Sequence, residues 1–324
     1  MSKILVVVTG AAGFIGSHLC EALIKKGYRV IGLDNLSMGE EKNISDIIGN
    51  RNFSFQKIDI TNEKINSPAL KDAKVIVHLA ALKIPRYGGR LKTLVSNTKG
   101  TENLLKIASK NKAKFIFIST SDVYGKNPKL PFSEESNLVL GSSEVARWAY
   151  AISKIFDEHL CFSYFEEYNL PFVILRLFGV YGPRQHRTWW GGPQGIFIDN
   201  ILRGKTVEIH GNGAQTRTFV YIDDVITAIT KSMTAEPAIG QIINIGSNQE
   251  IPIINLARKI AGLSKKPLKI RKIPYISFTG KKYEDVARRR PDINKAKKML
   301  NWKPLITLET GLKNTIRWHL DNPI

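Results

Sequence analysis

Cysteine is scarce in this chain. There are two in 324 residues, Cys20 and Cys161, too few for a disulfide framework. Both fall in apolar patterns of helical spacing, so buried, reduced thiols of a cytoplasmic protein are expected. Long apolar runs are also missing: none approaches the ~18 residues of a membrane span. The short apolar run in MSKILVVVTG passes directly into a glycine turn, with no small-residue cleavage site after it. A strand is expected there, not a signal peptide. Internal repeats and low-complexity segments are absent. Negative charge is in deficit, with 28 Asp/Glu against 48 Lys/Arg and a formal net charge of +20. Much of the excess lies between Lys265 and Lys298, a window with thirteen basic residues and three acids. Basic proteins attract polyanions, but nucleic-acid recognition needs a motif and an aromatic stacking surface, and the sequence offers neither. The charge implies a solvated basic surface and attraction for a small diphosphate.

What is present is alternation. Apolar, strand-like runs occupy 3–9, 29–34, 53–58, 74–80, 114–120 and 171–177. Between several of them lie stretches of helical spacing, from Phe14 to Lys26 with Gly27 as the stop, and near 90–111 and 143–168. Such alternation builds βαβ units and a parallel sheet. After Gly179 the pattern loosens into glycine- and proline-rich connections. The expectation is an α/β fold with a doubly wound parallel sheet over residues 1–178, a smaller substrate-binding region over 179–324, and a segment near 219–247 returning to the sheet.

The turn TGAAGFIG follows the first strand and opens the first helix, which is the context a dinucleotide fingerprint requires. Gly10, Gly13 and Gly16, with Phe14 and Ile15 between them, allow a tight turn, close approach of a pyrophosphate and close helix–strand packing. The spacing is GxxGxxG instead of the commoner GxGxxG. Asp34, followed by Asn35, ends the second strand where a carboxylate would accept hydrogen bonds from an adenosine ribose. An acid there favours NAD over NADP, whose 2′-phosphate would meet like charge.

WAYAISK sets Tyr150 and Lys154 four residues apart, on one helix face. A free tyrosine, with a pKa of about 10, is a poor base at neutral pH. A neighbouring ammonium is expected to lower that pKa, so that Tyr150 exchanges a proton with a hydroxyl while a hydride moves to the nicotinamide. Thr120, at the end of the fifth strand, can hydrogen-bond the same hydroxyl. Asp122 in STSDVYG follows it, and is either a working carboxylate or a turn residue.

Together TGAAGFIGSHL, HLAA, STSDVYG, YAISK, VYGPR, QTRTFVYIDDV, NIGS and RRPDINKAKKMLNW resemble the extended short-chain dehydrogenase/reductase family, over nearly the whole chain. The resemblance implies a Rossmann-type fold, bound NAD and a nucleotide-sugar substrate, most simply UDP-linked. It implies that Asp59 and Ile60 contact adenine, that Leu79, Ala80 and Ala81 line the cofactor, and that Lys83 and Asn97 touch it. Arg217 would bind the nucleotide diphosphate, Arg289 the nucleotide or sugar, and Ser121 and Arg184 the substrate. His78 would be a structural ring on a buried strand. The helices near 90–111 and 143–168 resemble the pair that forms a homodimer interface in the family.

The family runs three reactions through a 4-keto sugar: 4-epimerisation, uronic acid decarboxylation and 4,6-dehydration. Dehydratases usually carry Thr-Asp-Glu where this chain has Thr120-Ser121-Asp122, so dehydration is disfavoured. Decarboxylases usually carry Thr-Ser-Glu, a closer match, and GKKYEDVARRRPDI (280–293) also resembles them. Yet Gly179 stands where they usually have asparagine. Epimerisation needs only the Thr, Tyr and Lys, and Lys83 leans that way, so a UDP-sugar 4-epimerase is expected, with UDP-glucuronate decarboxylase as the alternative. A third class, an NAD-binding regulator or RNA-binding protein, would have no need of an intact Thr120/Tyr150/Lys154 set. Trp189 and Trp190, in TWWGGPQG, would either stack on the sugar or base or cover the core.

Overall fold

The computed structural model describes residues 3–62, 65, 70–83, 89–275, 277 and 284–323. Six strands and three helices come first: β1 (Leu5–Thr9), α1 (Phe14–Lys25), β2 (Arg29–Asp34), β3 (Phe53–Lys57), β4 (Val75–His78), α2 (Arg90–Asn111), β5 (Lys114–Thr120), α3 (Trp148–Tyr168) and β6 (Phe172–Leu177). There follow β7 (Val180–Tyr181), α4 (Pro193–Leu202), β8 (Val207–His210), β9 (Thr216–Thr218), β10 (Val220–Tyr221), α5 (Ile222–Thr234), β11 (Gln241–Ile245), β12 (Glu250–Pro252), α6 (Ile253–Ser264) and β13 (Ile270–Ile273). Helices Asn294–Leu300 and Leu308–Asp321 close the described chain.

Seven strands form one sheet in the order β11-β6-β5-β4-β1-β2-β3, every neighbouring pair parallel. Strands covered on both faces read as continuous apolar runs, and LVVVT, VIVH and FVILRL are buried at every position. Alternate side chains serve two cores. Val6 and Val8 join the cluster shared with α1, α5 and the C-terminal elements, whereas Leu5 and Val7 join the one beneath α2 and α3. Cys20 and Cys161 are buried, free thiols, one in each. Among the described residues no helix is long and apolar enough to cross a membrane.

Chain order reverses between β1 and β4, which pair side by side while their successors run outward in opposite directions. A crevice opens above the carboxyl ends of strands at such a switch point. The short pairs β7–β10, β9–β12 and β8–β13 lie outside the main sheet, and β11 returns to it beside β6.

Helix α1 ends as expected, with Gly27 at φ +87° just past it. The third helix starts later than its sequence spacing suggests, at Trp148 instead of near 143. The guanidinium of Arg90 donates to the carbonyls of Ser143 (2.8 Å) and Glu144 (2.9 Å). Those carbonyls are thereby satisfied without a helical turn.

Candidate active site

A cavity of about 660 Å³ occupies the switch point. One end is built from the turn between β1 and α1. Gly10 takes φ +69°, a conformation glycine adopts without strain. A Cβ on Gly16 would lie 2.0 Å from the Gly10 carbonyl oxygen, and one on Gly10 3.0 Å from the Ala80 amide nitrogen. The turn therefore closes only with hydrogen at these places. Gly10, Gly13, Phe14, Ile15 and Gly16 all line the cavity. Among the described residues the amino end of α1 has no side-chain cap and no acid in its first turn. Its amides thus remain available to an anion, with the helix dipole favouring one.

Asp34 ends β2 on the same wall. Its Oδ2 accepts from the Ala12 amide (3.0 Å) and its Oδ1 from the Leu36 amide (2.8 Å), which fixes the carboxylate toward the cavity. Asn35 donates to Asp59 Oδ2 (3.0 Å), and Thr61 donates to Asp59 through both amide and hydroxyl. Asn97 accepts from the Leu82 amide (2.8 Å) and donates to the Leu82 carbonyl and to Ser153. It thereby staples the loop after β4 to α3. Asp34, Asn35, Asp59, Ile60, Leu79, Ala80, Ala81, Lys83 and Asn97 all line the cavity. An elongated dinucleotide fits these residues: an uncapped helix terminus for its pyrophosphate and an oriented carboxylate for a ribose. His78 does not face it. Thr9 Oγ1 lies 2.8 Å from His78 Nδ1, and His78 Nε2 lies 3.1 Å from Thr101 Oγ1. Burial and the Lys154 charge keep this ring neutral, a structural bridge between β1 and α2.

Thr120, Tyr150 and Lys154 line the opposite part of the cavity. Lys154 is buried, with its ammonium 4.3 Å from the centre of the Phe117 ring. The expected depression of the Tyr150 pKa is not found. Burial raises it, the Asp122 carboxylate and more weakly Asp157 raise it further, and only the Thr120 hydroxyl opposes them. The Tyr150–Lys154 spacing carries no sign of the two carboxylates or of the desolvation of the phenol.

Beyond Tyr150 the cavity wall is a lattice of arginines and aspartates. Arg289 Nη2 lies 2.7 Å and Arg147 Nη2 3.5 Å from Asp122 Oδ1. Arg217 Nη2 lies 2.9 Å and Arg147 Nη1 3.4 Å from Asp285 Oδ1, and Tyr275 donates to Asp285 Oδ2. Arg289 also donates to Ser121 Oγ (3.3 Å). Burial works to raise the Asp122 pKa, but Arg289, Arg147 and Arg217 outweigh it and hold it at about 2. Asp122 is thus an anion at every physiological pH. Trp189 and Trp190 also line the cavity, and Trp189 stacks on His210 at 4.3 Å between ring centres.

Arg184 is placed elsewhere. It sits outside the cavity lining and pairs with Glu21 of α1 at 2.5 Å, tying the sixth-strand loop to that helix. Residues 280–283, the start of the segment GKKYEDVARRRPDI, lie outside the described residues. Arg147, Asp285, Tyr275 and His210, none of them expected from the sequence, also stand on the cavity wall. Of these only Arg147 left a local signal, three residues before Tyr150 and so on its side of the helix.

The model of the NAD dependent epimerase/dehydratase family matches residues 6–246. A UDP-N-acetyl-alpha-D-glucosaminuronate decarboxylase of Bacillus cytotoxicus is 37% identical over 96% of this chain and 96% of its own length. Among solved structures, UDP-glucuronic acid 4-epimerase of Bacillus cereus, in complex with UDP-glucuronic acid and NAD, superposes with a TM-score of 0.87 at 32% identity, covering 98% of this chain and 99% of that one. UDP-glucose 4-epimerase of Thermotoga maritima, with UDP-glucose, gives a TM-score of 0.87 at 31% identity over 98% and 99% of the two chains. Glycine turn, Asp34, and the Thr120, Tyr150 and Lys154 wall thus occur in a chain that belongs to the NAD-dependent epimerase/dehydratase family and uses its cofactor, NAD.

Proposed function

We propose that the chain is a UDP-sugar 4-epimerase. The observation that carries this reading is that Thr120, Tyr150 and Lys154 line the same cavity as the glycine turn and Asp34. Residues 1–178, with 219–247, hold the cofactor, and 179–324 hold the nucleotide sugar. Gly10 to Gly16 and the amino end of α1 bind the pyrophosphate, Asp34 the adenosine ribose, and Asp59 and Ile60 the adenine. NAD, when bound, supplies the acceptor for the C4 hydride and returns it within the same turnover.

Tyr150 takes the C4 hydroxyl proton and later restores it. Thr120 orients that hydroxyl, and the Lys154 cation stabilises the phenolate that Tyr150 must carry to take the proton and that re-forms when it restores it. Arg217 and Arg289 bind the diphosphate and the sugar end, where guanidinium geometry suits paired oxygens. Elimination of water across C5 and C6 would need a neutral acid beside the sugar. Asp122, anionic under its arginines, is not one.

A second reading, uronic acid decarboxylation, is favoured by Arg147 and Arg289 beside Asp122, because freed guanidiniums would hold a uronate carboxylate. Purified protein incubated with UDP-glucose, UDP-N-acetylglucosamine and UDP-glucuronate, with products resolved by NMR, tests the choice. A C4 epimer supports the first reading; a pentose product establishes the second, and a 4-keto-6-deoxy sugar sinks both. The proposal includes a cytoplasmic homodimer. Leu91 and Val95 of α2 and Ile152 and Phe156 of α3 form two exposed apolar i,i+4 stripes, which sedimentation of their charged variants would test.

A further inference from the structure

We infer that Glu158 is a positioning residue for the proton step: with Arg176 it clamps strand β5, which carries Thr120, to helix α3, which carries Tyr150 and Lys154. The inference rests on the roles proposed above for those three residues. Side chains alternate across a strand. Phe115 and Phe117 of β5, and Phe172 and Ile174 of β6, pack on the α2 and α3 side of the sheet. Ser119 and Arg176 continue these two rows, and the strand register sets them side by side. Glu158 meets both. It lies four residues after Lys154 and eight after Tyr150, along the same side of α3. Ser119 donates to its Oε1 at 2.5 Å, Arg176 Nε to Oε1 at 3.0 Å, and Arg176 Nη2 to Oε2 at 2.6 Å. All three side chains are buried.

Stability does not account for this arrangement. A buried ion pair is commonly no more stabilising than apolar side chains of similar volume, and both rows are apolar up to this point. What the pair adds is fixed geometry, because a two-point contact between guanidinium and carboxylate sets orientation as well as distance. Glu158 and Arg176 stand outside the cavity lining, whereas Ser119 and Thr120 reach it. The pair therefore acts through its neighbours and not on a substrate. The clamp also extends toward the arginine wall. Arg176 Nη1 donates to the Glu134 carbonyl (3.2 Å), and the guanidinium stands 4.9 Å from the centre of the Tyr124 ring. Tyr124 donates to Asn244 Oδ1 (2.7 Å), and Asn244 Nδ2 to the Phe132 carbonyl (2.9 Å). Phe132 in turn pairs through its backbone with Arg290 and Asp292, beside Arg289. Satisfied buried networks rigidify what they join. Strand β5, helix α3 and the segment bearing Arg289 thus share one buried frame.

Two variants test this. Glu158→Leu combined with Arg176→Met replaces the pair by apolar side chains, which commonly preserves stability. Ser119→Ala removes only the tie to β5 and leaves the ion pair intact. Both are expected to melt within about 5 °C of wild type. In the double variant kcat should fall about 10²-fold, the cost of a misplacement of about 1 Å, and in Ser119→Ala about tenfold, while KM for the nucleotide sugar and NAD affinity stay within about twofold. Crystal structures with NAD bound read the separation of Thr120 Oγ1 and Tyr150 Oη directly, and it should widen by about 0.5–1 Å. A wild-type kcat or an unchanged separation overturns the inference. So does a loss of NAD affinity and a rise in KM in step with kcat, which marks the network as general support for the fold. If the double variant does not fold, Ser119→Ala decides alone. The separation is read without turnover: if wild type converts no nucleotide sugar, the functional reading fails while the structures still decide the role of Glu158.

Discussion

Replacing Asp122 by Asn would separate the charge lattice from the catalytic wall. In wild type the arginines hold this carboxyl at about 2, against about 3.8 to 3.9 in an unfolded chain. That depression is worth at most about 2.5 kcal/mol of folding free energy. The side chain keeps 31% of its surface exposed, so solvent screening reduces the figure to about 1–2 kcal/mol. A carboxyl with a depressed pKa stabilises the fold above its unfolded pKa, and the benefit is lost as pH falls toward 2. The variant should therefore melt about 2–3 °C lower at pH 7 for a chain of this length, and the gap should close toward pH 2. Catalysis should respond in the opposite sense. Asp122 is the charge that most raises the Tyr150 pKa; without it the phenolate forms at lower pH. The ascending limb of kcat against pH should shift toward neutrality. Arg289 and Arg147, released from Asp122, should also favour an anionic sugar, so affinity for UDP-glucuronate relative to UDP-glucose should rise about 5–10-fold, roughly 1–1.4 kcal/mol. The assays are a pH–rate profile from 6 to 10, thermal unfolding from pH 2 to 7, and competition between the two nucleotide sugars. A variant whose ascending limb stays in place would refute the assigned influence of Asp122 on the phenol.

Two further substitutions address separate parts of the site. Tyr150→Phe should lower kcat by about 10²–10⁴ while leaving NAD bound, as read by cofactor absorbance after gel filtration; near-normal turnover would remove Tyr150 from the proton step. Gly16→Ala forces a Cβ to within 2.0 Å of the Gly10 carbonyl oxygen, so the turn must open. Loss of NAD binding together with a lower Tm is expected, and an unchanged NAD affinity would show that the turn is not the pyrophosphate cradle.

Much of the fold was legible because the central parallel strands β1, β4 and β6 are buried at every position and read as unbroken apolar runs; the edge strand β3, FSFQK, has no buried position. The start of α3 was not, because the partner that satisfies the Ser143 and Glu144 carbonyls is Arg90, more than fifty residues away. The glycine turn, Asp34 and the Tyr150/Lys154 spacing were legible for a local reason: each is a short motif whose geometry follows from one element. The Arg184–Glu21 pair was not legible, because Glu21 belongs to another element. The lattice of Asp122, Arg147, Arg217, Asp285 and Arg289 was invisible as a unit, since its members come from four separated stretches of chain and only folding brings them together.

That lattice acts on the proton step through one carboxylate: Asp122, kept ionised by its arginines, is the charge that most raises the Tyr150 pKa and so sets how readily the phenol gives up its proton.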